Sequence, residues 1–332
     1  MPLNLQTLEL DYEKESSRIA AFIRNSVVGV LKKKGVVVAV SGGIDSSTTA
    51  ALCVKVLGGE HVFALLMPER DSSPESLHYG RRLVNHLGIG FEIIDIAPIL
   101  QAMGCYQFRD EAIREIFPEY ADGYKNKITL TSTGESGSRF GFYSVVIAGP
   151  DGIQKKQRLP VRNYLQIVAA TNMKQRTRKS LEYFHADRLN YAVAGTPNLL
   201  EYDQGFFVKL GDGAADLKPI AHLYKTQVFQ MARHLGLPVD LVERKSTTDT
   251  YSLEQSQEEF YFNVPLEKLD LVLFGINQGK DAGAISTDTG MHREEVEWII
   301  KDIWQKRSST APLHLPPLTL VPGKAVPAEG HK

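Results

Sequence analysis

The residues GVVVAV at 35–40 form an unbroken apolar run bounded by glycines, and SGGIDSS follows with no spacer. A run without polar alternation fits a strand buried on both faces, as in parallel sheets. HVFALLMP (61–68) and GFEIIDI (90–96) read as a second and a third buried strand. Helical stretches at about 45–57 and at 74–88 separate them, the latter with Pro74 early and Gly88 at its end. Ahead of the first strand, residues 16–34 read as an amphipathic helix. Ile19, Phe22, Ile23, Val27 and Val30 share one face, and Lys32, Lys33 and Lys34 close it. This alternation predicts an α/β fold, a doubly wound parallel sheet with right-handed crossovers.

The regularity stops over 104–161. That stretch holds the polar run TSTGESGSRFG and a hairpin-like unit, in which FYSVVIA and GIQKKQRL flank a turn at Gly149-Pro150-Asp151-Gly152. It reads as an inserted subregion on the core domain. Its Lys155, Lys156 and Arg158 suit a flap over an anionic substrate. Helical periodicity returns over 163–187, NYAVAGT (190–196) reads as a fourth buried strand, and helices are expected over 224–235 and 292–305. One domain over 1–315 is expected, with a loose Pro- and Gly-rich tail over 316–332.

The net charge of the 332 residues is −1, which points away from nucleic acid and from membrane surfaces as partners. No stretch reaches the roughly 18 apolar residues of a membrane helix. The start, MPLNLQTLELDYEKE, lacks the basic and apolar segments of a signal peptide. Cys53 and Cys105 are the only cysteines and have no metal-ligand spacing, so a reduced, cytosolic setting is expected.

The chemistry is written in SGGIDSS. Gly42 and Gly43 let backbone N–H groups approach an anion, and the following helix start adds partial positive charge. Ser41, Ser46 and Ser47 supply hydroxyls. The segment lacks the lysine of GxxxxGK[ST] and the spacing of GxGxxG, so it is neither of those phosphate loops. Asp45 would repel phosphate unless a cation lies between them, which predicts Mg²⁺ bridging Asp45 to phosphate oxygens.

SGGIDSS after GVVVAV resembles the pyrophosphatase loop of enzymes that split ATP between its α- and β-phosphates. Five further segments, in order along the chain, are similar to the NAD synthase family: LLMPERDSSPES (65–76), NMKQRTR (172–178), the block 195–238 that begins GTPNLLEYDQGFFVKLGDG, Ser246-Thr247-Thr248-Asp249, and Lys306-Arg307. The resemblance spans about 16–315 apart from the insertion. It implies a Rossmann-like adenine-nucleotide fold, ATP as co-substrate, and amidation of deamido-NAD by ammonia through an acyl-adenylate.

It also implies site residues. Asp45 with Glu201 would hold Mg²⁺. Lys225 and Thr247 would meet the phosphates, giving Asp45, Lys225 and Thr247 catalytic roles. Ser41, Gly42, Gly43, Ser46, Ser47, Met67, Arg176 and Thr196 would complete the ATP site. Asn172, Arg178, Lys209, Asp212, Asp216, Lys306 and Arg307 would bind deamido-NAD. Arg176 and Arg178, two apart, cannot share a helix face, so they are expected to serve different ends. Phe206 and Phe207 would either stack on a pyridine ring or pack in the core. A homodimer is implied by the resemblance alone. Neither cysteine has room around it for a glutaminase domain, so ammonia is expected to come free or from a separate partner. The chain departs from the family pattern at Lys179, Pro197, Leu199, Leu200, Tyr202 and Val208. Leucines beside Glu201 would strip polar partners from the acyl side, and an amide synthetase for another carboxylic acid is the alternative.

Overall fold

The glycine-bounded apolar run is an inner strand of the main sheet, and Val36, Val37 and Val38 have no exposed surface. In this computed structural model, which describes residues 3–133, 140–244 and 250–320, the strands are β1 (Val36–Ala39), β2 (Val62–Leu66), β3 (Gly90–Ile93), β4 (Lys125–Thr133), β5 (Phe140–Ala148), β6 (Gln154–Arg158) and β7 (Ala192–Ala194). The order β3-β2-β1-β7 is parallel throughout. Helices Ile44–Leu57 and Pro74–Leu87 make the first two crossovers, and the long helix Val161–Leu189 leads into β7. The chain thus grows outward from β1 in one direction and later returns to the other side of β1. That reversal opens a crevice beyond the carboxyl ends of β1 and β7, where ligands bind in such sheets. The α/β class expected from the strand–helix alternation is observed.

Element positions follow the sequence with local extensions. The expected helix 16–34 is Tyr12–Arg24, capped by Asp11 accepting from the Lys14 amide at 3.0 Å, and continues as a π turn over Asn25–Val30. The last helix reaches His314 rather than 305. Helices Leu266–Asn277 and Ala282–Thr289 occupy a stretch with no expected element. The first is apolar on most sides, so it carries little helical periodicity. With Arg293–His314 they enclose a second core around Phe262, Leu269, Leu273 and Ile303.

Residues 104–161 are more regular than their sequence suggests. Cys105–Arg114 is a helix, and β4-β5-β6 form an antiparallel sheet. The β5–β6 turn is the expected one, with Gly152 at φ +78° and its amide donating to the Gly149 carbonyl at 2.9 Å. The polar β4 is the unforeseen third strand. Val145 and Ile147 pack with Ile128 and with Ile167 of the long helix in a third core, so the sheet is a packed wall and not a loose flap. The basic residues expected to cover a substrate lie elsewhere: Lys155 pairs with Glu119 at 2.6 Å and Arg158 lies over Phe142. Among the described residues no helix is long and apolar enough to cross a membrane. Residues 321–332 of the expected tail lie outside the described residues.

Candidate active site

The turn after β1 is shaped by steric necessity. Gly42 has φ +75°, and a Cβ there would stand 2.4 Å from the Ser76 carbonyl oxygen. No side chain but hydrogen fits. Arg244 clasps this contact, donating from Nη1 to the Gly42 carbonyl and from Nη2 to Ser76 Oγ, each at 3.0 Å. Gly43 precedes the helix Ile44–Leu57, whose first turn has no side-chain cap. Its free amides are available to an anion. Ser46 and Ser47 are buried and donate to the Gly43 carbonyl at 3.0 and 2.8 Å. Of the three serines, Ser41 is the exposed one.

The charged residues converge at the switch point. Asp45, in the first turn of its helix, forms an ion pair through Oδ2 with Lys225 Nζ and accepts at Oδ1 from Asn198 Nδ2 at 2.9 Å. Lys225 opens the helix Lys225–His234 and is 1% exposed. Burial opposes its charge, but Asp45 and Glu201 outweigh it and hold its pKa above the ordinary lysine value. The buried Asp270 fixes this helix start from behind, accepting from the Lys225 amide at 3.2 Å and the Thr226 amide at 2.8 Å. Burial lifts the Asp270 pKa to about 6.

Asn198 joins the two carboxylates. Besides its bond to Asp45, it forms a reciprocal capping box with Glu201, side chain to amide at 3.2 Å in both directions. Glu201 Oε1 accepts from Gln257 Nε2 at 2.8 Å. Burial, then the negative charge of Asp45, pushes the Glu201 pKa up to about 8. A carboxyl whose charge is disfavoured by burial and by a neighbouring carboxylate marks a place where a cation would be favoured. No group of three or more His, Cys, Asp or Glu side chains suited to a metal occurs among the described residues. Asp45 and Glu201 therefore fit a cation that draws its other ligands from water and phosphate, as Mg²⁺ does.

Asp45, Glu201, Lys225, Arg244 and Gln257 line a cavity of about 640 Å³. Its walls divide chemically. Met67, Thr196, Arg176 and Arg178 lie among the sheet-edge residues, whereas Tyr143, Tyr164, Phe206, Tyr251, Phe260 and Tyr261 make an aromatic wall. Gln257 and Phe260 flank the Glu201 contact in sequence and place that wall beside the carboxylates.

The model of the NAD synthase family matches residues 15–122 and 146–309. This chain belongs to the NAD synthase family. The NH(3)-dependent NAD(+) synthetase of Rhizobium meliloti is 52% identical over 316 residues, 95% of this chain and 94% of that protein. The one from Rhizobium rhizogenes is 49% identical over 320 residues, 96% of each chain. Among solved structures, the NMN synthetase of Francisella tularensis superposes with a TM-score of 0.64 at 20% identity, covering 94% of this chain and 99% of that one. The NH3-dependent NAD synthetase of Campylobacter jejuni gives 0.59 at 23%, covering 94% and 100%. The structural likenesses bear on the fold.

The residues implied by the family resemblance fall into four groups. Ser41, Gly43, Asp45, Ser46, Met67, Asn172, Arg176, Arg178, Thr196, Glu201, Lys209, Asp212 and Lys225 all line the cavity. Gly42 and Ser47 stand behind the lining and shape the loop. Arg176 and Arg178 diverge as the helix geometry requires: the first donates to the Lys209 carbonyl at 3.3 Å, the second to the Met67 carbonyl at 3.2 Å. Asp216, Lys306 and Arg307 stand outside the lining, engaged within the chain. Asp216 accepts from the Val193 amide at 2.8 Å, Lys306 pairs with Asp302 at 2.6 Å, and Arg307 grips Asp203 with two bonds at 2.9 and 2.8 Å. Thr247 lies outside the described residues.

The leucines beside Glu201 do not strip the acyl side of polar partners. Leu200 is 1% exposed and packs with Leu199 against the second core, away from the cavity. Phe206 stacks on Tyr261 with centroids 4.6 Å apart and lines the cavity. Phe207 stacks on Tyr202. Sequence reasoning missed Asn198, Arg244, Gln257 and Asp270. The spacing of Asn198 to Glu201 is a capping-box signature and was available. The other three come from distant segments and carry no local signal.

Proposed function

We propose that this protein is an ammonia-dependent NAD synthetase that amidates deamido-NAD at the expense of ATP. The observation that carries the reading is the Asp45–Lys225 pair beside Glu201 at the mouth of the phosphate loop, in a chain about half identical to named synthetases over nearly its full length. The nicotinate carboxylate attacks the α-phosphorus, the bond to the β-phosphate oxygen breaks, and pyrophosphate leaves. Ammonia then attacks the adenylate carbonyl, and AMP departs as NAD forms.

The protein's own part is placement and charge. Gly42, Gly43 and the first-turn amides receive the departing phosphates, and Ser41 adds a hydroxyl. Lys225, buried and cationic, faces the charge that develops on pyrophosphate. Met67, Arg176 and Thr196 are assigned to ATP, and Thr247 with them. Asn172, Arg178, Lys209 and Asp212 are assigned to deamido-NAD. Asp216, Lys306 and Arg307 enter as supports of that region through their intrachain pairs. Bound at Asp45 and Glu201, Mg²⁺ would supply positive charge to the phosphate oxygens. The hydrogen bonds and ion pair now made by the two carboxylates hold them ready for it.

A homodimer suits the exposed apolar side chains Leu165 and Phe184 on the long helix, with Phe108 on the helix Cys105–Arg114 nearby. Residues 316–332 are read as a tail beyond a single domain, and the two buried thiols suit a reducing compartment. Purified protein with ATP, Mg²⁺, ammonium and deamido-NAD should form NAD with one AMP and one pyrophosphate each. Glutamine should not replace ammonium, and the rate should rise with pH as free ammonia grows. Pyrophosphate release driven by a different carboxylic acid, with no NAD formed, would overturn the assignment.

A further inference from the structure

We infer that Tyr143 determines specificity for the acyl substrate: the sheet β4–β6 brings its ring into the active-site cavity that Glu201 also lines, where it forms an aromatic wall with Tyr164. The inference rests on the proposed function and deepens it. Residues 123–145, Tyr143 among them, fall between the two segments matched by the family model.

Three observations place it there. The pleat of β5 sends Tyr143, Val145 and Ile147 to one face. Val145 and Ile147 are fully buried against Ile167, which anchors the strand to the long helix. Tyr143, further along that face, lines the cavity and stacks on Tyr164 with centroids 4.1 Å apart and planes 17° from parallel. The outer edge of β4 is sewn to the segment that follows it in space. The Asn126 amide donates to Ser252 Oγ at 2.9 Å, the Leu253 amide to the Asn126 carbonyl at 3.0 Å, and Gln255 Nε2 to the Ile128 carbonyl at 2.7 Å. That segment carries Tyr251 and Gln257, the latter bonded to Glu201. The sheet is therefore held in register with the carboxylate end of the site.

The chemistry follows from the ring pair. Two stacked tyrosines offer a flat, half-buried surface for a planar aromatic acid and little for an aliphatic one. Such a wall also keeps bulk water from the acyl-adenylate. If water reached it, its oxygen would take the place of ammonia's nitrogen at the carbonyl carbon. The bond to AMP would break and the free acid would return, so ATP would be consumed with no NAD made.

The test compares the unmodified enzyme with Tyr143→Ala, Tyr143→Leu and Tyr143→Phe under ammonium, ATP and Mg²⁺, following pyrophosphate and NAD together. Tyr143→Ala should raise KM for deamido-NAD about 10-fold, in line with the loss of one aromatic contact. KM for ATP should stay within about twofold, and pyrophosphate should exceed NAD. Tyr143→Phe should recover most of the lost affinity. Tyr143→Leu keeps apolar bulk and covers the case in which alanine collapses the wall; it too should raise the acid's KM. Folded variants with unchanged KM for the acid and one pyrophosphate per NAD would overturn the role of Tyr143 while leaving the enzyme assignment standing. Failure of the unmodified protein to make NAD would overturn both.

Discussion

The two ends of the cavity are built by different means. The phosphate cradle is made of backbone: a glycine turn and a helix start within seven residues of sequence, SGGIDSS, directly after β1. The aromatic end is made of side chains from β5, the long helix, the segment after residue 250 and Phe206, which are up to 118 residues apart (Tyr143 and Tyr261). An anion asks the same geometry of any protein, so that end is local and formulaic. A substrate ring can be met by many surfaces, so the other end is assembled from whatever the fold brings near, including Tyr143 from a stretch between the two segments that the family model matches.

The largest expected effect falls on the first end. Asp45→Asn should lower kcat/KM by about 10²-fold or more, because charge develops where its carboxylate and Lys225 meet. It should also lower the melting temperature, since Lys225 loses its ion pair and Glu201 alone remains to balance the buried ammonium. Glu201→Gln should lose activity similarly but melt nearer the parent temperature, because the Asp45–Lys225 ion pair is left intact. Raised Mg²⁺ should partly rescue turnover in both. Equal melting temperatures for Asp45→Asn and the parent, by calorimetry, would remove the buried pair from the account.

A sharper cut comes from Arg244→Ala. It removes one bond to the phosphate turn and one to Ser76, which packs against that turn, at 3.0 Å each. KM for ATP should rise about 10-fold, as expected for losing charged hydrogen bonds. KM for deamido-NAD should stay near its parent value. A parallel rise in both constants would show that the two ends are mechanically one, and the contrast would fail.

The smallest effect concerns Asp270, behind Lys225. Its folded pKa, raised by burial to about 6, exceeds the ordinary carboxyl value of 3.8. The folded state therefore binds the proton more tightly, so this group's contribution is full below the unfolded pKa and is lost as pH rises through about 6. Relative to Asp270→Asn, which cannot titrate, the parent should lose stability between pH 4 and pH 7, a shift of a few degrees in melting temperature. A difference between the two proteins that does not change across that range would show that Asp270 stays ionised throughout.

The sequence alone determined what depends on near neighbours. The unbroken VVV run is buried on both faces, and the glycine turn of SGGIDSS opens a helix; both follow from a few adjacent residues. The divergence of Arg176 and Arg178 followed from helix geometry alone. The tertiary structure decided everything that depends on meeting. It joined Asp45 to Lys225, 180 residues on, and set Arg244 on a turn 202 residues before it. It turned Leu199 and Leu200 into a helical core and away from the substrate, and it took Lys306 and Arg307 into pairs with Asp302 and Asp203. A side chain's type fixes what it can do, but burial and partners fix whether it does so, and those are properties of the packed chain.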